Sequence, residues 1–236
     1  MVEIFDIKRG RAAGLEPPLS EQAYSRVRAD ILGGAIQPNE RLKIDALQTR
    51  YALSNTPLRE ALNRLTAEGL VIADERRGFR AAPVSLADFE NLTRYRLVIE
   101  EGALTESIVR GDDQWEAQLV ASYHLLQVGH RSGERNLDEH WSRAHKSFHI
   151  ALLAGCGSSK LLGACATALD EAERYRCLSS RSSAHAPRHD EHQLILNAAL
   201  ERDSRLAAAL LRKHIMRTAE NVMSILSREE AQDGTA

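Results

Sequence analysis

Two sets of residues in this chain have types and spacings that could do chemistry. The first is a group of histidines. His145 and His149 are four apart, so on one helix both project from the same face. Phe148 and Leu152 set that face near a core. His192 opens the segment Asp190-Glu191-His192-Gln193-Leu194-Ile195-Leu196, and His214 lies in Leu210-Leu211-Arg212-Lys213-His214-Ile215. Helices converging on one bundle axis would bring these four imidazoles together, and imidazole suits zinc- and nickel-like ions. Spacing alone leaves two other readings open. A His pair four apart is often just solvated, and a core His is often satisfied by ordinary hydrogen bonds.

The second set lies in Leu53-Ser54-Asn55-Thr56-Pro57-Leu58-Arg59-Glu60-Ala61-Leu62-Asn63-Arg64-Leu65-Thr66-Ala67-Glu68-Gly69. Ser54 or Thr56 can cap a helix, and Pro57 fits a first turn, where its missing N–H costs nothing. Leu58, Ala61, Leu62 and Leu65 then share one face. Gly69 can end the helix in the left-handed conformation. The other face offers Asn55, Thr56, Arg59, Asn63 and Arg64, side chains that hydrogen-bond phosphates and base edges. An apolar back with an Arg/Asn/Thr front is what reading a DNA major groove requires. The competing reading is a helical subdomain whose arginines are merely solvated.

The elements that must position these residues follow from periodicity. Gln22 to Leu32 has helical spacing at Ala23, Tyr24, Val27, Ile31 and Leu32, and ends at Gly33-Gly34. After a turn at Gln37-Pro38-Asn39, a second short helix is expected over about Ile44 to Tyr51. Two short helices joined by a tight turn read as helix-turn-helix. Leu70-Val71-Ile72 and Phe79 to Val84 read as two strands around a charged turn, Glu75-Arg76-Arg77-Gly78, a wing that reaches phosphates. Beyond Ser85-Leu86-Ala87-Asp88, a capping-box variant, six helical segments are expected, roughly 86–109, 113–131, 137–154, 159–178, 190–202 and 204–227. Gly111, Gly133, Gly155-Cys156-Gly157, the Ser179 to Pro187 stretch and Asp203 separate them. Strand alternation is absent there, so an antiparallel all-α bundle is expected.

Composition fits this mostly α reading. The 236 residues suffice for two modest domains or one large one. Residues 1–84 hold 13 Lys and Arg against 11 Asp and Glu, while the remainder holds 18 against 22. A nucleic-acid-binding half is expected to be the more basic one. No apolar run approaches the ~20 residues that span a membrane, and Met1 to Pro18 has no signal-peptide core. Three cysteines, Cys156, Cys165 and Cys177, form no CxxC pair. They read as core-filling thiols in a reducing cytoplasm. The expected domains are a loose arm over 1–17, a winged helix-turn-helix over 18–84, a helical domain over 85–228 and a tail over 229–236.

The order helix, helix, Thr-Pro-Leu-Arg-Glu-Ala-Leu helix and Arg-Gly hairpin resembles the amino-terminal winged helix of the GntR family of bacterial transcription regulators. Its Glu-Arg-Leu matches Glu40-Arg41-Leu42, and its Glu-Gly-Leu matches Glu68-Gly69-Leu70. Asn39 stands where the family usually has Gly. Asn55 stands where Arg is common at the start of the reading helix, a change that favours reading adenine over guanine. The bundle resembles the FCD ligand-binding domain of the FadR-type subfamily. Arg76-Arg77-Gly78-Phe79-Arg80, Gly111-Asp112-Asp113-Gln114-Trp115-Glu116, Ala154-Gly155-Cys156-Gly157-Ser158 and His189-Asp190-Glu191-His192-Gln193 resemble the carbon-starvation-induced regulator branch.

The resemblance implies a bound divalent metal, one per chain, with an Asp and three His as ligands in the family. His149, His192 and His214 match the family's histidines, and His145 occupies the Asp position. Imidazole removes one negative charge there, which favours zinc or nickel over manganese. The family's Arg-x-x-x-Glu matches Arg96 and Glu100, implying that Arg96 binds an effector carboxylate. The other reading of Arg96 is an ion pair with Glu100 on a solvated face.

These readings converge on a cytoplasmic homodimeric repressor, not an enzyme. It binds palindromic double-stranded DNA and responds to a small carboxylate, of dicarboxylate type, without any membrane partner. Arg41, Ser54, Asn55, Thr56, Arg59, Asn63, Arg64, Arg76, Arg77 and Gly78 are the expected DNA contacts. The alternatives are a metal-dependent hydrolase using the histidines, or a purely structural helical protein. A closed four-His site with no evident carboxylate base argues against the hydrolase.

Overall fold

Helix α1, Leu19–Leu32, starts directly after Pro18 and buries Ala23, Val27 and Ile31 completely. It begins three residues before the expected Gln22, because Leu19-Ser20-Glu21 continues the helix with good formers and no breaker. The computed structural model describes residues 16–74, 78–131, 139–180 and 189–233. Most of the expected arm over 1–17, and the wing-tip residues Arg76 and Arg77, therefore lie outside the described residues.

The turn after α1 uses two left-handed positions, Gly34 at φ 71° and Asn39 at φ 62°. Asn is the residue that best tolerates such a conformation after glycine, which accounts for Asn39 standing in for Gly. A two-residue strand, β1, Arg41–Leu42, precedes α2, Ile44–Tyr51, and α3, Asn55–Ala67. Ser54 takes the N-cap position of α3 with extended backbone and no side-chain cap bond, and Gly69 follows the helix at φ 74°. Its inner face is fully buried at Leu58, Ala61, Leu62 and Leu65. Truncating Leu62 to Ala removes packing of the kind that costs about 2–5 kcal/mol.

Strands β2, Val71–Asp74, and β3, Gly78–Ala81, form the wing. The sheet order is β1-β3-β2, all antiparallel, with Arg41 opposite Arg80. Strand β1 escaped the sequence reading because two residues carry no period. It extends the wing into a three-stranded sheet.

Ser85 caps α4, Leu86–Arg110, by accepting the Asp88 N–H at 3.1 Å. Then come α5, Asp113–Arg131, α6, Glu139–Leu153, a 3-10 turn at Ala154–Cys156, α7, Ser159–Ser180, α8, His189–Leu200, and α9, Ser204–Asp233. Helix α9 runs past the expected end at 227, into the segment assigned to a tail. Ser227 to Asp233 contains no Gly or Pro, and Arg228 to Gln232 is an unbroken run of strong helix formers. At Gly155 a Cβ would lie 2.9 Å from the Ser107 carbonyl, so glycine permits α4 to pack against the turn.

One core fills the winged helix around Leu58, Leu62 and Ile31, and another fills the bundle around Phe148, Leu119, Ile195 and Leu211. A third, with Phe89, Leu92, Tyr175 and Val222, joins α4, α7 and α9. The two domains touch along α1 and α7. Arg174, buried in α7, donates to the Ala82 carbonyl at the end of the wing. Among the described residues, no helix is long and apolar enough to cross a membrane.

Candidate functional site

The outer face of α3 presents Ser54, Asn55, Thr56, Arg59 and Asn63, all exposed. Arg59 Nε donates to Asn55 Oδ1 at 2.8 Å, so Asn55 at the helix start orients the guanidinium. Arg64 departs from the expected arrangement. Its guanidinium lies 3.8 Å over the Tyr24 ring and pairs with Glu21 at 2.6 Å, tying α3 to α1. It sits one residue past Asn63, and that rotation of about 100° carries it toward the neighbouring helix. Arg41 is exposed on β1 beside Arg80 on β3. Sequence reading missed Arg80, although its place between inward-leaning Phe79 and buried Ala81 marks it as outward. Gly78 opens β3 at φ 84°. This backbone is left-handed, so glycine is the unstrained choice at the wing's return.

The bundle assembles the histidines. Helix α6 supplies His145 and His149, α8 supplies His192 and α9 supplies His214. One ligand nitrogen from each lies within 4.8 Å of all the others. The ring centroids of His145 and His149 are 4.6 Å apart, as are those of His192 and His214. His149, His192 and His214 are buried, and His145 is partly exposed under a stacked Trp141 ring at 4.7 Å. Phe148 closes the cluster from the core side at 5.4 Å from the His192 ring.

Hydrogen bonding orients part of the set. His214 Nδ1 lies 2.9 Å from Glu191 Oε2, and Arg217 holds the other oxygen of that carboxylate at 2.6 Å. With Nδ1–H donated to Glu191, the Nε2 lone pair of His214 is left for the cluster. Glu191 was not picked out from sequence, because nothing in its spacing marks a partner 23 residues away. Both ring nitrogens of His149 are buried with no hydrogen-bond partner among the described residues. A buried, unsatisfied imidazole is costly, and a cation at the centre of the cluster would satisfy it. The donor set fits a divalent ion of the zinc or nickel type, with all-nitrogen ligation and no carboxylate.

The same environment sets protonation. Burial holds His145 and His149 well below the usual histidine range, and the neighbouring imidazoles push in the same direction. Both therefore stay neutral, the form that coordinates. In the unfolded chain they would take up protons near pH ~6.5. Below that pH the unfolded state binds more protons than the folded one, so acid favours unfolding; above it this contribution vanishes. Chelator-treated protein should lose thermal stability between pH 7.5 and 5.5, and a His145→Asn/His149→Asn variant should lose less. An equal loss in both would show that these imidazoles are not the titrating groups.

A cavity of about 40 Å³ adjoins the cluster, lined by Arg96, His145, Lys146, His149, Arg176 and Thr218 among others. Arg96 Nε donates to Glu100 Oε1 at 2.6 Å. The pair is buried, not on a solvated face, since Glu100 is fully inaccessible. Arg176, unmarked in the sequence reading, is held by Glu173 and by Ser142 Oγ at 2.8 Å, and lies 4.6 Å over the Trp141 ring.

Comparison with known proteins gives a consistent picture. Residues 19–80 match the family model described as bacterial regulatory proteins, gntR family, and residues 91–217 match the FCD domain. The HTH-type transcriptional repressor GlaR of Escherichia coli K12 is 37% identical over 204 residues, covering 84% of this chain and 92% of that protein. The uncharacterized HTH-type transcriptional regulator BphR of Paraburkholderia xenovorans LB400 is 37% identical over 201 residues, covering 84% and 82%. Among solved structures, E. coli McbR/YncC superposes with a TM-score of 0.73 at 19% identity, covering 91% of this chain and 99% of that one. A putative GntR regulator from Rhodococcus sp. RHA1 gives 0.71 at 19% identity, covering 87% and 97%.

Proposed function

Because this chain belongs to the gntR family of bacterial regulatory proteins, in the branch with an FCD domain, we propose that it is a homodimeric repressor. It releases a palindromic operator when its bundle takes up a small carboxylate beside a bound metal. The family premise makes it a DNA-binding transcription regulator rather than an enzyme, so the hydrolase reading of the histidines falls away.

The observation that carries the sensing half is the convergence of four imidazoles within 4.8 Å beside a cavity lined by cations. His149, His192 and His214 would hold one ion of the zinc or nickel type, with His145 as a fourth ligand. Such an ion, bound only by neutral nitrogens, supplies an uncompensated positive charge that an anionic oxygen complements. Arg96, fixed by Glu100, takes the far end of the ligand. Cations at both ends favour a dicarboxylate of succinate or glutarate length. At about 40 Å³ the cavity holds roughly three waters. A dicarboxylate therefore has to displace the cavity walls, and a wall displacement is how binding is converted into movement.

The reading half rests on Asn55, Thr56, Arg59 and Asn63 in α3, with Ser54 at its cap and Arg41, Arg80 and Gly78 on the sheet. Two heads double the base contacts of one. Tyr95, Val98 and Val109 form an exposed apolar stripe along α4 with the open Gly102 between them. A second copy of the chain covers this stripe in the proposed dimer.

Selection of bound fragments from random DNA should return an inverted repeat with half-sites about one helical turn apart. Light scattering at micromolar concentration should give a dimer. Monomer only, with a single half-site footprint, would refute the arrangement.

A further inference from the structure

The cleft between the DNA-reading head and the bundle, about 540 Å³, is lined by Tyr24, Arg28 and Leu32 of α1 and by Lys146, Asp170 and Glu173 of the bundle. Lys146 and Glu173 also line the cavity beside the histidines. The two spaces thus share Lys146 and Glu173, and on the cleft side Lys146 meets the carboxylate of Asp170. Asp170, 7% exposed, accepts from Lys146 Nζ at 2.5 Å and 2.6 Å through its two oxygens, and from Arg28 Nη2 through Oδ2. Arg28 Nε in turn lies 3.6 Å from Glu68 Oε2, at the C-terminal cap of α3, and Glu68 accepts the Tyr24 hydroxyl at 2.8 Å. A continuous series of charged contacts runs from a residue next to His145 to the end of the reading helix.

We propose that Asp170 is a switch shared between Lys146 and Arg28, through which an anion in the histidine cavity is sensed by the DNA-reading head. This rests on reading the cavity as the effector site. Two cations compete here for one carboxylate. An anionic ligand oxygen entering the cavity offers Lys146 a second partner. Once Lys146 turns to it, Asp170 keeps Arg28 as its remaining cation, and that pairing strengthens. Arg28 is drawn toward α7 and away from Glu68, so α1 is held more firmly to the bundle while its tie to α3 loosens. The ligand class is a small carboxylate or other oxyanion. A neutral ligand gives Lys146 no reason to leave Asp170.

The test needs no effector. In full-length, metal-loaded protein, Lys146→Gln removes the competing cation and imitates its withdrawal. Amide hydrogen exchange across residues 25–31 should slow at least threefold in Lys146→Gln and quicken in Asp170→Asn. Lys146→Gln added to Asp170→Asn should then have no further effect. Should Asp170→Asn fail to fold, Arg28→Gln provides the same break from the other side. Unchanged exchange in Lys146→Gln, or an equal slowing in both backgrounds, overturns the switch. Adding glutarate to wild type should slow the same amides. Coupling in the variants without a glutarate response would keep the switch and remove only the dicarboxylate reading.

Discussion

Replacing His149 and His214 together by alanine should reduce bound metal from close to one ion per chain to a trace. The two residues come from different helices, α6 and α9, and their rings stack 5.2 Å apart across the cluster. Among the described residues no further histidine joins the cluster, and the remaining His145 and His192 supply only two imidazoles. The folding consequence follows by mass action. An ion present at 100 times its dissociation constant stabilises the folded state by about 2.7 kcal/mol. At roughly 2–4 °C per kcal/mol for a chain of this size, a chelator should lower the wild-type midpoint by about 5–10 °C. It should leave the double variant unmoved, because that protein has nothing to lose. Undiminished metal in the variant, measured by elemental analysis, would place the ion elsewhere.

Arg59→Ala should weaken operator binding by about 1–3 kcal/mol, roughly 5- to 150-fold, with a smaller loss on random DNA. Arg59 is exposed at the centre of the outer face of α3, and Asn55 already orients its Nε. Its terminal nitrogens are then presented as a fork suited to a guanine edge. Asn55→Ala should produce part of the same loss without removing any cation. Arg64→Ala should act differently. Arg64 is stacked on Tyr24 and paired with Glu21, so its loss should lower stability more than operator preference. Competition binding with a selected operator against scrambled DNA distinguishes these cases. A folded Arg59→Ala protein that binds both as wild type does would remove the residue from the reading set.

The winged helix was readable from the chain because its signals are local. Leu58, Ala61, Leu62 and Leu65 repeat at helical spacing, Gly69 marks the stop, and hydrophobic strands flank the charged turn. The histidines were readable for a similar reason, since His145 and His149 share a face and the bundle topology brings α8 and α9 against it. What escaped was set by contacts distant in sequence. Arg28 meets Asp170 across 142 positions and Arg174 meets Ala82 across 92. No periodicity announces such partners. Arg176 and Glu191 look like surface charges in the sequence, yet one lines the cavity and the other orients His214. The direction of Arg64 depended on the rotation of α3 against α1, which a helical wheel leaves undetermined.

The central claim is that a metal-holding pocket in the bundle governs the grip of the winged helix on DNA. The most direct measurement is the affinity of the protein for its selected operator as glutarate is titrated, with metal-loaded and chelator-stripped protein compared side by side. Operator affinity should fall about tenfold or more in the loaded protein, a coupling of about 1.4 kcal/mol, and should stay flat in the stripped protein. Coincident curves for the two forms would contradict it.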